Sequence, residues 1–282
     1  MIPARIKFLH ENKKIEIFLT KRLGENTWLA IGKPGKLLKK GAKFEIMTGL
    51  SVRIAEVNAD GQRLVEFSVN GLSPEDSDFD EILKKIGSTP LPPYIKNSSA
   101  SFDDYQTVYA KNKGSVAAPT AGLHFTKRLL EKLAKKGIGL EFVTLHVGPG
   151  TFQPIKTERV EDHKMHSEYF SFDKDTANRL NYAKKDGRRI IAVGTTAVRV
   201  LESSYDKKSG FTPGFGETDI FIYPGYEWKC VDGLITNFHL PKSTLLLLTC
   251  SFGGEDLILK AYREAVKNKY RFYSFGDAMF IE

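Results

Sequence analysis

Cysteine is scarce: the chain of 282 residues holds two, Cys230 and Cys250, and no C-x-x-C pair. A disulfide framework and a cysteine-built zinc site are both disfavoured, and a reducing cytoplasmic setting fits. Long apolar runs are missing as well. The opening stretch MIPARIKFLHENKK lacks the apolar core of a signal peptide, and residues 245–248 are far too short to span a bilayer, so the expectation is a cytoplasmic protein with no membrane partner. Neither G-x-G-x-x-G nor G-x-x-x-x-G-K-S occurs. Gly148-Pro149-Gly150 follows an apolar stretch but lacks the third glycine, which sets aside the usual dinucleotide and nucleoside triphosphate loops. His163 and His166 are three apart, yet on a strand that spacing sends the rings to opposite faces. No acidic or thiolate residue recurs at ligand spacing, so no metal is expected.

What is present is ordinary globular material, 41% hydrophobic and 27% charged, with no internal repeat and no low-complexity tract. The formal net charge is +8 and the pI about 9.2, which favours polyanionic partners such as RNA. Up to about Gly71 the chain shows six short alternating segments, ARIKFLH, KIEIFLT, TWLAIG, AKFEIM, SVRIAEV and RLVEFSV. Each is bounded by a turn signal, and together they predict a small six-stranded β-barrel. A short acidic helix is expected over 73–87. Ser88-Thr89-Pro90-Leu91-Pro92-Pro93 is a stiff connector, which puts the domain boundary after Ser88: a barrel domain over 1–88 and a larger domain over 89–282.

Beyond that boundary strands alternate with helices. Helices are expected over 127–136 with Thr126 as cap, over 174–185 with Asp173 as cap, over 243–250 and over 255–270; strands are expected over 140–147, 190–193, 220–223, 234–240 and 278–281. This grammar predicts an α/β fold with a mostly parallel-sheet core and helices on both faces. Within it, Arg189–Ser203 (RIIAVGTTAVRVLES) reads as strand, tight turn and helix start. The positive helix end with Thr195, Thr196 and Arg199 suits an anionic or carboxylate-bearing group, while for this turn taken alone a plain threonine cap on a core helix is the favoured reading. His146 before Gly148, Thr195 after Val193, and Asn237 and His239 after Ile235 all fall where strands end, the place where open α/β sheets bind ligands. His166 with Glu168, and Thr218 with Asp219, are acid–base candidates or else satisfied core pairs.

Assembled, these stretches resemble the S-adenosylmethionine:tRNA ribosyltransferase-isomerase family of queuosine biosynthesis. The segments are YQTVYA from Tyr105, SVAAPTAGLHFT from Ser115, VTLHVGPGTFQP from Val143, HKMHSEYF from His163, AVGTTAVRVLES from Ala192, TDIFIYPGY from Thr218, LITNFHLPKSTLL from Leu234 and YREAVKNKYRFYSFGDAMFI from Tyr262. The resemblance implies transfer of the ribosyl part of S-adenosylmethionine to 7-aminomethyl-7-deazaguanine at the tRNA wobble position, giving epoxyqueuosine and releasing adenine and methionine. S-adenosylmethionine is then a consumed substrate, no cofactor is needed, and the protein is a monomer whose partners are this substrate and the tRNA.

The resemblance further implies an acid–base pool of His124, His146, His166 and His239, partnered by Asp219 and Glu168. Thr195, Thr196 and Arg199 would hold the methionine carboxylate. Ser115, Thr120, Gly122, Asn237 and Asp277 would shape the nucleoside pocket, with Gly148 and Thr218 beside them. Tyr105, Tyr109, Phe152, Tyr169 and Tyr223 are candidates to stack an extruded base. Relatives carry a further stretch of core ahead of the barrel, and Met1-Ile2-Pro3-Ala4-Arg5 resembles the tail of its last segment. On that comparison part of the core is missing, and the expectation is exposed apolar surface with little activity. The rival readings are an inactive RNA-binding remnant and an S-adenosylmethionine-dependent RNA methyltransferase.

Overall fold

The computed structural model describes residues 1–74, 76–92, 94–95, 100–148, 155–165 and 167–282, with backbone alone at 76 and 77. The chain divides into two units, Met1–Tyr105 with Asn112–Ala117, and Gln106–Lys111 with Ala118–Glu282.

The first unit grows from period-two alternation. Strands β1 (Arg5–His10), β2 (Lys13–Arg22), β3 (Thr27–Lys33), β4 (Lys43–Met47), β5 (Leu50–Val57) and β6 (Arg63–Val69) are followed by helix α1 (Asp76–Ile86) and a two-residue β7 (Gly87–Ser88). Their order in the sheet is β4-β5-β6-β3-β2-β1-β7, antiparallel throughout. Glu11 and Asn12 close the β1–β2 hairpin with φ of 47° and 63°, the left-handed pair whose twist matches the flanking strands. Ile15, Ile17, Leu19, Val52, Ile54, Val65 and Phe67 form the buried face, and Phe79 and Leu83 of α1 pack onto it. Fully burying a side chain such as Phe79 contributes roughly 2–3 kcal/mol. The sheet curls: the rings of Phe8 on β1 and Phe44 on β4 lie 5.9 Å apart although these strands are not ladder neighbours. The expected six-stranded barrel is thus a curled, seven-stranded half-barrel, and no ladder among the described residues closes it.

The second unit contains β8 (Thr144–Leu145), β9 (Glu168–Phe172), β10 (Ile191–Val193), β11 (Tyr205–Asp206), β12 (Gly210–Phe211), β13 (Gly214–Thr218), β14 (Gly233–Asn237) and β15 (Ala278–Ile281). Its helices are α2 (Lys127–Lys135), α3 (Lys174–Lys185), α4 (Thr195–Ser204), α5 (Thr244–Gly253) and α6 (Glu255–Lys267). Helices α2 and α3 start as the sequence predicts, because cap chemistry is local, and Ser243, expected as the first residue of its helix, instead caps α5. The side chains of Thr126, Asp173 and Ser243 accept from the backbone N–H groups of Leu129, Thr176 and Leu246.

The mostly parallel sheet is not what forms. Strands β13-β9-β8 make one antiparallel sheet and β10-β14-β15 another, in which β10–β14 is the single parallel pair among the described residues. The physical reason is allocation. Helix α3 does not return the chain to a parallel neighbour in the same sheet, since β9 before it and β10 after it belong to different sheets. Residues 220–223 belong to no strand, and the strand expected over 140–147 shortens to two residues.

Candidate functional site

Strand β14 is paired on both sides, parallel to β10 and antiparallel to β15, so its last residue, Asn237, is held firmly and is buried. The 3-10 turn Thr120–His124 packs against this end. Thr120 Oγ1 donates to Asn237 Oδ1 at 3.0 Å, and the amide nitrogen faces His124 Nε2 at 3.3 Å. An amide nitrogen can only donate, so in the neutral ring Nε2 accepts and the proton sits on Nδ1 of an exposed imidazole. Asp277 directly precedes Ala278, the residue paired with Asn237. Its carboxylate accepts from the Arg271 guanidinium at 2.7 Å and the Arg271 backbone at 2.8 Å. These bonds hold its pKa below the usual range, with a smaller contribution from the charge of His124.

Gly194 donates to Ile235 O at 2.8 Å, and a side chain built on it would stand 3.6 Å from Ala121 in the same turn. Its φ of +88° is glycine territory, and it starts α4 with no side-chain cap on the first N–H groups. Thr195, Thr196, Thr120, His124, Asn237 and Asp277 therefore share one corner of the unit. An imidazole, an amide, a carboxylate and an open helix start are the parts of a proton-transfer site beside an anion-holding end.

Gly122 has a packing role in this corner. A Cβ there would lie 1.9 Å from the Tyr109 hydroxyl and 2.9 Å from Thr107 Cγ2. The Tyr109 ring is tucked against Phe142 at 5.4 Å, and burial pushes its hydroxyl up to about 12, so this tyrosine buttresses the turn and does not offer a free stacking face. Gly122→Ala is expected to cost about 1–3 kcal/mol through overpacking. Chemical denaturation reads the loss, and Tyr109→Phe in the same chain, which removes the hydroxyl nearest the added methyl, should recover part of it.

His239 lies elsewhere. Residues 236 and 237 point to opposite sides of β14, and His239 Nε2 bonds Thr236 Oγ1 at 2.8 Å, so His239 stands on the face away from His124. Its backbone N–H donates to the Tyr262 hydroxyl at 2.8 Å. Burial lowers the imidazole pKa to about 4, which makes the ring neutral at physiological pH. Between that value and the unfolded value of about 6.5 the unfolded chain binds the extra proton. This contribution is therefore fully present above pH 6.5 and is lost as pH falls toward 4, by roughly 3 kcal/mol. Melting temperature against pH should drop more steeply over that window for the native chain than for His239→Gln.

A second cluster lies under α4. Arg199, one helical turn after Thr195, is 4% exposed and forms an ion pair with Glu168, while its Nη2 donates to Thr218 O at 3.2 Å. Glu168 also accepts from Gly148 N at 2.9 Å, and Thr218 Oγ1 bonds Ser203 Oγ at 2.6 Å. Arg199, expected to hold an anionic ligand, has its guanidinium charge matched by a buried carboxylate of the same unit. Glu168 and Thr218 are likewise engaged, whereas Asp219 is exposed. His146 stacks on Tyr169 at 5.7 Å; burial lowers its pKa, and its Nδ1 is buried with no hydrogen-bond partner among the described residues. Ser115 belongs to the first unit, where its hydroxyl donates to Ala117 O at 2.8 Å. Tyr105 is fully buried in that unit, and Tyr223 is half-buried in the second. His166, Phe152, Pro149 and Gly150 lie outside the described residues.

Sequence reasoning passed over Glu202, fully buried on α4. It accepts from the backbone N–H groups of Lys229, Cys230 and Val231 and from the Tyr226 hydroxyl, at 3.0–3.1 Å. An acid seven residues after Thr195, on the same helix face, was the available signal.

Fold and site together define a mixed α/β protein of two units with an imidazole–amide–carboxylate corner at the end of a strand. The chain belongs to the queuosine biosynthesis protein family, whose model it matches over residues 1–281. It is 52% identical over 285 residues to the S-adenosylmethionine:tRNA ribosyltransferase-isomerase of Clostridium kluyveri and 50% identical over 284 residues to that of Halothermothrix orenii. In both comparisons all of this chain and 82% of the relative are covered. A solved S-adenosylmethionine tRNA ribosyltransferase from Thermotoga maritima is 37% identical, with a TM-score of 0.49 over all of this chain and 79% of that one.

Proposed function

We propose that this protein is a tRNA-modifying enzyme of queuosine biosynthesis. It moves the ribosyl part of S-adenosylmethionine onto the aminomethyl group of 7-aminomethyl-7-deazaguanine in the tRNA anticodon, forming epoxyqueuosine with loss of adenine and methionine. The observation that carries this reading is agreement along the entire chain, at 50–52% identity, with relatives bearing that one activity in their name. S-adenosylmethionine is consumed as a substrate, and the setting is cytoplasmic.

The chemistry sets three demands. A base must take the C5′ proton that the sulfonium has acidified, adenine leaves more readily when protonated, and the attacking amine must be neutral. His124, turned toward Asn237 through Nε2, is the candidate acid: as the imidazolium it gives its Nδ1 proton to the departing adenine and is left as the neutral ring. His146, kept neutral by burial and with Nδ1 uncommitted among the described residues, is the candidate base. The N–H groups at Thr195 and Thr196 suit the methionine carboxylate.

The test is incubation of the chain with S-adenosylmethionine and precursor tRNA, followed by chromatography. Free adenine with methionine is the expected result. S-adenosylhomocysteine would mark methyl transfer, and the absence of all three would leave an inactive remnant; either outcome overturns the proposal.

A further inference from the structure

Helix α2 contradicts the usual electrostatics of a helix. No residue in it is buried, its first turn has no acid, and Lys127 and Arg128 occupy that turn, where the helix dipole disfavours cations. At about 100° per residue, Lys127, Arg128, Lys132, Lys135 and Lys136 fall on one half of the helix circumference, and Leu129, Leu130, Leu133 and Ala134 on the other. All five cations are exposed, and among the described residues none has an ion-pair partner; the one acid of α2 is Glu131. Arg128 with Lys132, and Lys132 with Lys136, stand four apart, a spacing at which like charges repel. At the far end the Arg188 guanidinium donates to Gly137 O at 3.4 Å and prolongs the strip. The near end leaves the candidate site directly, since the helix cap Thr126 is two residues after His124.

We infer that the outer face of α2 is the track along which the phosphate backbone of the tRNA lies as its modified base reaches the corner of His124 and Asn237. The inference rests on the ribosyl-transfer reading for the identity of the polyanion. Residues 127–136 give a strip of about 15 Å, long enough for several phosphates, and the dipole adds positive potential at the end nearest the site. A polyanion relieves the repulsion that the helix otherwise bears alone. Phosphate contacts of this kind position the nucleic acid without reading its sequence.

The experiment measures binding of precursor tRNA to the full chain by filter retention across a salt titration. In Lys132→Glu with Lys135→Glu, affinity is expected to fall about tenfold or more and the salt slope to shrink by about 1.5. The new acids can pair with Arg128 and Lys136, so the helix should persist; Lys132→Gln with Lys135→Gln, which only neutralises, should fall between. Lys260→Glu with Lys267→Glu on α6 makes the same charge change elsewhere and should leave both quantities as they are. Unchanged affinity and slope in the α2 variants overturn the inference, as does an equal loss in the α6 variant. Adenine release is read in parallel on the native chain. Salt-dependent tRNA binding without adenine sinks the ribosyl-transfer reading and leaves the slopes to decide α2, whereas turnover with unaltered slopes sinks the α2 track alone.

Discussion

His124→Ala should lower kcat/KM for adenine release by about 10²–10⁴-fold, the range for losing a general acid or base. Its melting temperature should hardly move, because the ring is exposed and the one hydrogen bond in which it is seen runs to Asn237. The two readouts separate chemistry from folding. Asn237→Ala is expected to behave differently. It strips the buried partner from the Thr120 hydroxyl and lets the imidazole turn, so a stability loss of about 1–3 kcal/mol accompanies the fall in rate. Thr120→Val acts on the ring only through Asn237, and its effect on kcat should be the smallest of the three. A His124→Ala chain that folds and turns over as fast as the native one would remove this histidine from the acid–base pool and leave Asn237 with a structural role.

Much of the first unit was legible because its determinants are local. Alternation at Ile15, Ile17 and Leu19, or at Val65 and Phe67, assigns strand and buried face without knowledge of any neighbour. The same holds for the helix caps. The error in the second unit lies one level higher, since a strand–helix–strand pattern does not say which sheet each strand will join, and β9 and β10 part company across α3. The site divides in the same manner. Thr120, His124 and Asn237 carry their chemistry in their residue types, and the fold brings them together from more than a hundred positions apart. His239 has the same chemistry and a similar place at the end of a strand. What separates it from His124 is the two-residue repeat of β14, which sets Thr236 and Asn237 on opposite faces, a signal present in the sequence but usable only once the strand end is known. Arg199 could not be judged from the chain at all, because its partner Glu168 comes from another sheet.

That pairing gives the largest expected effect on stability. Both side chains of the Arg199–Glu168 pair are 5% exposed or less, and each is bonded further, to Thr218 O and to Gly148 N. Removing one partner strands the other as an uncompensated buried charge. Arg199→Ala should therefore cost about 3–5 kcal/mol, a fall in melting temperature on the order of 10 °C for a unit of this size. Glu168→Gln preserves the shape and should cost nearly as much, because the guanidinium keeps its charge with the Thr218 carbonyl as its remaining acceptor among the described residues. Arg199→Met with Glu168→Leu removes both charges together and should be clearly more stable than Arg199→Met or Glu168→Leu alone, so the double-mutant cycle on these substitutions yields a large coupling. Additive losses would show that the two groups do not interact in the folded chain. The same variants decide the role of Arg199 in binding: if Arg199→Met with Glu168→Leu regains its melting temperature but loses affinity for S-adenosylmethionine, the arginine returns to the substrate carboxylate. If affinity is kept, the helix start at Thr195 and Thr196 is sufficient for that group.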